Sequence, residues 1–272
     1  MATLPRALVI RAPGTNCDQE MVRAFALAGA KPDLVHLDAL VTDPGRIAEF
    51  QLIGFPGGFS YGDDIASGRV FAMRCRERLY PQLRAAVERG VPMIGACNGF
   101  QVMVQIGLLP GGRKDTWEQS VALTDNISGR FCDRWVGMQA EPASRCIWTR
   151  GIEESISPAD REDVWMFPVA HGEGRFICRD KEVLSHLESS GLVALRYRDN
   201  YNGSENAIAG ICDESGLVFG LMPHPERYLE WTRHPYWTRL DDRIRQGETP
   251  GMRIFLNAME FVTGRSAVGS AG

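Results

Sequence analysis

None of the seven cysteines in this 272-residue chain is spaced Cys-x-x-Cys from another, and no run approaches the ~18 apolar residues of a membrane span. The first absence excludes the common zinc and dithiol patterns, and the odd number of widely scattered thiols excludes a disulfide framework. The second removes membrane insertion, and the opening Met1-Ala2-Thr3-Leu4-Pro5-Arg6 has no apolar leader core, so a cytoplasmic location is expected. Neither sign of charge dominates. Thirty Lys and Arg stand against 34 Asp and Glu, a net charge of −4, so no nucleic-acid footprint is expected. No Gly-x4-Gly-Lys-Ser/Thr phosphate loop occurs, Gly111-Gly112-Arg113-Lys114-Asp115-Thr116 does not fit one, and no carboxylate cluster looks like an ATP–Mg²⁺ or other metal site. Repeats and low-complexity linkers are also missing. The length suits one large α/β domain over residues 1–272, with residues 229–272 as an extended C-terminal segment.

What is present is a nucleophile in a particular setting. Val91-Pro92-Met93-Ile94-Gly95-Ala96-Cys97-Asn98-Gly99-Phe100-Gln101 reads as an apolar strand, a Gly-x-Cys-x-Gly turn and a departing helix, the thiol form of a nucleophile elbow. Such a turn exposes the sulfur at the carboxyl end of a sheet. It also sets the sulfur at a helix N-terminus, whose partial positive charge favours a thiolate. Gly95 and Gly99 stand where a Cβ would crowd the turn.

A cysteine nucleophile needs a base, and the base needs an orienting acceptor. Pro223-His224-Pro225-Glu226 follows the strand-like Leu217-Val218-Phe219-Gly220-Leu221-Met222, and in an extended segment His224 and Glu226 leave on the same side. Acyl transfer also needs two donors for an oxyanion. The N–H of Asn98 is one, and Pro56-Gly57-Gly58, at the end of the strand Leu52-Ile53-Gly54-Phe55, supplies Gly58 as the second. Because glycine backbones turn at little steric cost, this donor is expected to face inward only when a partner surface selects that state.

These three strings resemble those of the class I, triad-type glutamine amidotransferases. Ala12-Pro13-Gly14-Thr15-Asn16-Cys17-Asp18, Gly57-Gly58-Phe59-Ser60-Tyr61-Gly62-Asp63, Pro168-Val169-Ala170-His171-Gly172-Glu173-Gly174-Arg175 and Gly220-Leu221-Met222-Pro223-His224-Pro225-Glu226-Arg227 resemble one branch in particular, the glutaminase subunits of phosphoribosylformylglycinamidine synthase in purine biosynthesis. The likeness runs over residues 8–228. It implies a flavodoxin-like amidotransferase fold and hydrolysis of L-glutamine to glutamate and ammonia through a cysteinyl thioester. In these roles Cys97 is the nucleophile, His224 the base and then acid, and Glu226 its orienter, with Gly58 and Asn98 as the oxyanion hole. Gly57, Gln101, His171 and Gly172 would line the glutamine site. The chain itself would carry no cofactor. A large ATP-dependent synthetase subunit, with a small bridging subunit, would hold ATP and Mg²⁺, receive the ammonia and convert formylglycinamide ribonucleotide to formylglycinamidine ribonucleotide. Other readings stay open at this point: a glutaminase of another amidotransferase pathway, a thiol hydrolase sharing the elbow, or a non-catalytic binding relative.

Along the chain, Ala7-Leu8-Val9-Ile10 and Leu34-Val35 predict further strands, and Met21, Val22, Phe25 and Ala26 mark one face of a helix. Leu79, Leu83, Ala86 and Val87 mark another, and Met252, Phe255, Leu256 and Met259 a closing one. Alternation of this kind predicts a mainly parallel sheet flanked by helices. From about residue 190, Val193-Ala194-Leu195-Arg196-Tyr197, Ala207-Ile208-Ala209-Gly210-Ile211 and Leu217-Val218-Phe219 predict an antiparallel meander leading to His224. Cys17, opening a helix after Asn16, reads as core packing. Residues 231–250, with Trp231, Tyr236 and Trp237, read as an ordered excursion, either a partner surface or packing against the domain.

Overall fold

The computed structural model describes residues 4–111, 119–154 and 156–264. Residues 112–116 of the string that does not fit a phosphate loop, and residues 265–272 of the C-terminal segment, lie outside the described residues.

The strands are β1 (Arg6–Arg11), β2 (Lys31–His36), β3 (Leu52–Phe55), β4 (Met93–Ala96), β5 (Val121–Asp125), β6 (Cys132–Ala140), β7 (Met166–His171), β8 (Glu173–Cys178), β9 (Val193–Tyr197), β10 (Ile208–Cys212) and β11 (Val218–Leu221). The α-helices are α1 (Asp18–Leu27), α2 (Leu37–Thr42), α3 (Arg69–Arg78), α4 (Tyr80–Glu88), α5 (Asn98–Gln105), α6 (Arg161–Val164), α7 (Lys181–Ser189), α8 (Asp242–Arg245) and α9 (Pro250–Thr263).

Nine strands form one sheet in the order β2-β1-β3-β4-β11-β10-β9-β6-β7, and β5 pairs with β8 in a separate ribbon. The first five are parallel, and helices cover both faces of the inner ones, which explains the unbroken apolar runs of β3, β4 and β11, every residue of which is buried, while the edge strand β2 carries Lys31 and Asp33. Phe25 of α1 meets Phe255 of α9 edge to face, with ring centroids 5.4 Å apart, so the predicted apolar faces of these two helices close on each other. The remaining four strands are antiparallel to their neighbours. The antiparallel architecture therefore begins at β5 and not near residue 190. Its strands β5 to β8 are only half buried: β7 and β8 alternate between buried and partly exposed residues, and β6 is interrupted by charge at Asp133-Arg134.

The segment after Tyr228 is ordered, with short helical turns at Trp231–Arg233 and Trp237–Arg239 followed by α8. Tyr228 stands edge-on to Trp135 and Trp231 at 4.9 and 5.9 Å, and His234 donates to the Asp163 carbonyl at 2.8 Å. Trp231 and His234 thus pack the excursion onto the domain, while Tyr236 and Trp237 face outward. A cleft of about 1080 Å³ between this segment and α9 contains none of the predicted catalytic residues.

Candidate active site

Cys97 lies between β4 and α5 with φ 51° and ψ −109°, a left-handed backbone that is uncommon outside glycine. Its N–H bonds to the Leu221 carbonyl at 2.8 Å and its carbonyl accepts from Gln101 N at 3.1 Å, so the residue joins the sheet on one side and opens the helix on the other. The flanking glycines are steric requirements. A Cβ on Gly99 would stand 1.9 Å from the Phe55 carbonyl oxygen, and one on Gly95 would stand 2.3 Å from the Met103 sulfur. Helix α5 therefore leaves the strand in contact with the backbone of β3. The thiol is buried and points toward the Ala170 carbonyl, 3.7 Å from the sulfur.

The predicted base arrives on the neighbouring strand. Ala96 is in register with Leu221, so the ends of β4 and β11 emerge side by side and His224 comes up next to Cys97. Its Nδ1 lies 2.7 Å from Glu226 Oε1, with both side chains buried. The pair forms differently from the expected extended geometry: Pro225–Arg227 is a 3-10 turn, and the turn carries Glu226 back under the ring. Burial alone would push the imidazole pKa down. The Glu226 carboxylate and the Cys97 sulfur outweigh it and hold His224 well above its ordinary value. The Glu226 bond consumes Nδ1, and Nε2 has no protein partner.

The glycine peptide is held in one orientation. The Gly57 carbonyl accepts from Cys17 N–H at 3.2 Å. In a planar trans peptide the N–H of Gly58 then points the opposite way. In the order β1-β3-β4, that is the side of β4, and the pairing of Phe55 with Gly95 extends to set Gly57 and Gly58 beside Cys97. The Gly58 N–H, the expected second donor, thus points away from Cys17, and among the described residues it has no hydrogen-bond partner. Gly58 has φ +140°, and a Cβ there would stand 2.6 Å from Asn16 N. The string from Ala12 to Cys17 is the brace of this loop, through Phe59 N to Gly14 O at 3.0 Å and Tyr61 N to Pro13 O at 2.7 Å.

The predicted glutamine-site residues gather on the same side. Gln101 donates to the Glu173 carbonyl at 2.5 Å and accepts from the Asn98 side chain at 3.1 Å, so its amide is pinned at both ends as a wall. His171 is buried; burial, with the charge of His224 added, takes its pKa down to about 3, which keeps the ring neutral. Burial keeps the Tyr201 phenol protonated, and its oxygen lies 2.6 Å from His171 Nε2, a hydrogen bond that fixes the ring. The carbonyls of His171 and Gly172 are fixed by the side chain and the N–H of Asn126, at 2.9 and 2.8 Å. Asn126 and Tyr201 carried no local signal, because each is defined only by what the fold places opposite it.

One group of metal-type donors comes together among the described residues: Cys17, His224 and Glu226, with donor atoms within 4.8 Å of one another. Two of them, His224 and Glu226, are already committed to each other, so this set is the predicted catalytic pair with an additional sulfur beside it.

The fold and this site place the chain among the glutamine amidotransferases, and residues 4–262 match the CobB/CobQ-like glutamine amidotransferase domain. The chain is 42% identical over 263 residues to the phosphoribosylformylglycinamidine synthase subunit PurQ of Dehalococcoides mccartyi, covering 94% of this chain and 97% of that protein. It is 38% identical over 276 residues to the same subunit of Methanococcus maripaludis strain C7, covering 95% and 97%. The structure of PurLQS from Thermotoga maritima contains a chain that superposes with a TM-score of 0.70 at 34% identity, over 95% of this chain and 99% of that one. The chain belongs to the PurQ family, the glutaminase subunits of phosphoribosylformylglycinamidine synthase in purine biosynthesis.

Proposed function

We propose that Cys97 attacks the side-chain carboxamide carbon of L-glutamine while His224 Nε2 takes the thiol proton. The tetrahedral oxyanion is received by the N–H groups of Gly58 and Asn98. On collapse the imidazolium returns its proton to the departing nitrogen, releasing ammonia and leaving a Cys97 thioester. Water, deprotonated by the same nitrogen, attacks the thioester through a second oxyanion and frees glutamate and the thiol. Glu226 keeps Nδ1 protonated and steadies the imidazolium throughout. Gly57, Gln101, His171 and Gly172 form the walls that hold the substrate. The observation that carries this reading is the buried 2.7 Å His224–Glu226 contact, which leaves Nε2 free on the strand next to the elbow.

The chemistry needs no cofactor or metal in this chain. ATP and Mg²⁺ belong to a large synthetase subunit, joined by a small bridging subunit, where the ammonia aminates formylglycinamide ribonucleotide. The cytoplasm suits an enzyme whose described cysteines are all unpaired. Among the described residues no helix is long and apolar enough to cross a membrane. In the assembled complex, Cys97→Ala is expected to lower glutamine-dependent synthesis on the order of 10⁶-fold while ammonia-dependent synthesis persists. Parallel loss of both activities would refute the assignment.

A further inference from the structure

Cys17 touches both halves of the catalytic apparatus. Its backbone N–H holds the Gly57 carbonyl at 3.2 Å, the contact that turns Gly58 toward the elbow. Its sulfur lies in the group with His224 and Glu226 whose donor atoms fall within 4.8 Å. That sulfur is anchored: Arg227 Nη2 donates to it at 3.0 Å, and its thiol hydrogen points to Asn16 Oδ1 at 3.2 Å. Arg227 is itself steadied by Glu20 at 3.8 Å. Gly57 is a glycine because these groups are already packed; a Cβ there would stand 2.6 Å from His224 Cε1 and 3.3 Å from the Cys17 sulfur. A cysteine chosen only to fill the core would need neither a guanidinium on its sulfur nor contact with a catalytic ring.

We infer that Cys17, held by Arg227, is a positioning residue for the glutaminase reaction, its sulfur fixing the pose of the His224 ring and stabilising the imidazolium formed during turnover. This rests on the reading of His224 as base. The groups acting on that ring are Glu226 from its own turn, Cys97 from the elbow, Cys17 from the start of α1 and His171 from β7, while Arg227 acts on Cys17 and Glu226. Of these, Cys17 is a polarisable, buried sulfur that the reaction itself does not consume. Burial raises its own pKa, so it stays a thiol beside the ring. Thiol contact with His224 favours the charged ring, and its removal therefore acts in the opposite direction.

The test is steady-state kinetics of Cys17→Ala, Cys17→Ser, Arg227→Met and the double variant Cys17→Ala/Arg227→Met, each assembled with the synthetase partner. For Cys17→Ala, kcat for glutamine is expected to fall about tenfold, a fraction of the general acid–base contribution, with KM for glutamine moving less than about twofold. Ammonia-dependent synthesis stays at its original rate, and the limb of the pH profile governed by His224 moves to lower pH. Cys17→Ser, which keeps an acceptor for Arg227, restores that limb toward its original position. The double variant is no worse than the weaker single one, because both act through one contact. A wild-type kcat and pH profile in Cys17→Ala would overturn the inference. So would a loss that follows the melting temperature with the limb unmoved, or losses that simply add. His224→Ala in the same assay separates the two levels: if it retained glutaminase activity, the base assignment itself would fall, whereas its inactivity beside an unaffected Cys17→Ala would remove only the role of Cys17.

Discussion

Cys97 and Asp63 both hold their backbone in the left-handed region, at φ 51° and 55°, but the structure restrains them in opposite ways. Around Cys97 the conformation is over-determined. Helix α5 presses backbone on backbone against β3 at Gly99, the Cys97 N–H is committed to β11, and the surrounding side chains are buried. Around Asp63, Tyr61 and Ile65 share the unusual conformation at φ 55° and 73°, Ile65 is 84% exposed, and a Cβ on Gly62 would meet nothing within 4 Å. A few exchangeable bonds hold this stretch, among them Ser67 N to the Glu173 carboxylate at 3.3 Å and Gln105 to the Ser67 carbonyl at 2.8 Å. Strain locked by packing is a fixed part of the catalyst. Strain held by surface hydrogen bonds is where a docking partner can act.

The contrast is most exposed to kinetics. Glu226→Gln, in the packed region, is expected to lower glutaminase kcat on the order of 10⁴-fold, because the ring loses its charged orienter. Asp63→Asn, in the loop, keeps an acceptor for the Asn98 side chain at 3.4 Å and should cost less than about tenfold. Comparable losses in the two variants would erase the distinction. Denaturant unfolding gives the next effect in size. Gly99→Ala should destabilise by about 3 kcal/mol or more, since its Cβ would meet backbone that cannot yield. Gly62→Ala has open space and carries only the left-handed penalty, about 1 kcal/mol. Equal costs at the two glycines would show the elbow to be softer than its packing implies.

A last effect concerns His171 and appears only as a pH dependence of stability. Its folded pKa of about 3 lies below the ordinary 6.5, so the unfolded chain takes up this proton first as pH falls. The associated stability is complete above pH ~6.5 and is lost progressively toward pH ~3. Unfolding free energies measured at pH 7 and pH 5 should therefore fall less steeply for His171→Asn than for the parent chain. An unchanged slope would mean the ring is solvated and not sealed behind Gly174 and Tyr201.

The elbow, the His-x-Glu pair and the parallel half of the sheet were legible in the sequence because each is encoded locally. A run of buried residues, a glycine at a fixed offset and a turn proline all leave their marks within a few positions. The strands β5 to β8 were not, since a half-exposed strand such as Cys132–Ala140 mixes charge and apolar residues without a clean period. Cys17 was read as core for a related reason. It is indeed buried, but its meaning comes from Gly57, His224 and Arg227, which only the closed sheet brings to it. Gln101 lay where the helical spacing put it, one turn beyond Cys97. That its amide is tied to Glu173 and Asn98 could not be read from spacing.

The pairing of Ala96 with Leu221 makes the sheet a molecular ruler. The proposed nucleophile and base belong to distant stretches of chain, yet the gap between their strands is the ~4.8 Å repeat that hydrogen bonding imposes on adjacent strands. Strand β7 adds a second fix, since the Pro168 carbonyl accepts from His224 N–H at 2.9 Å and the Ala170 carbonyl lies 3.7 Å from the Cys97 sulfur. Helix α7, which carries none of the site residues, can therefore change length without retuning the distance on which proton transfer depends, whereas β7 cannot.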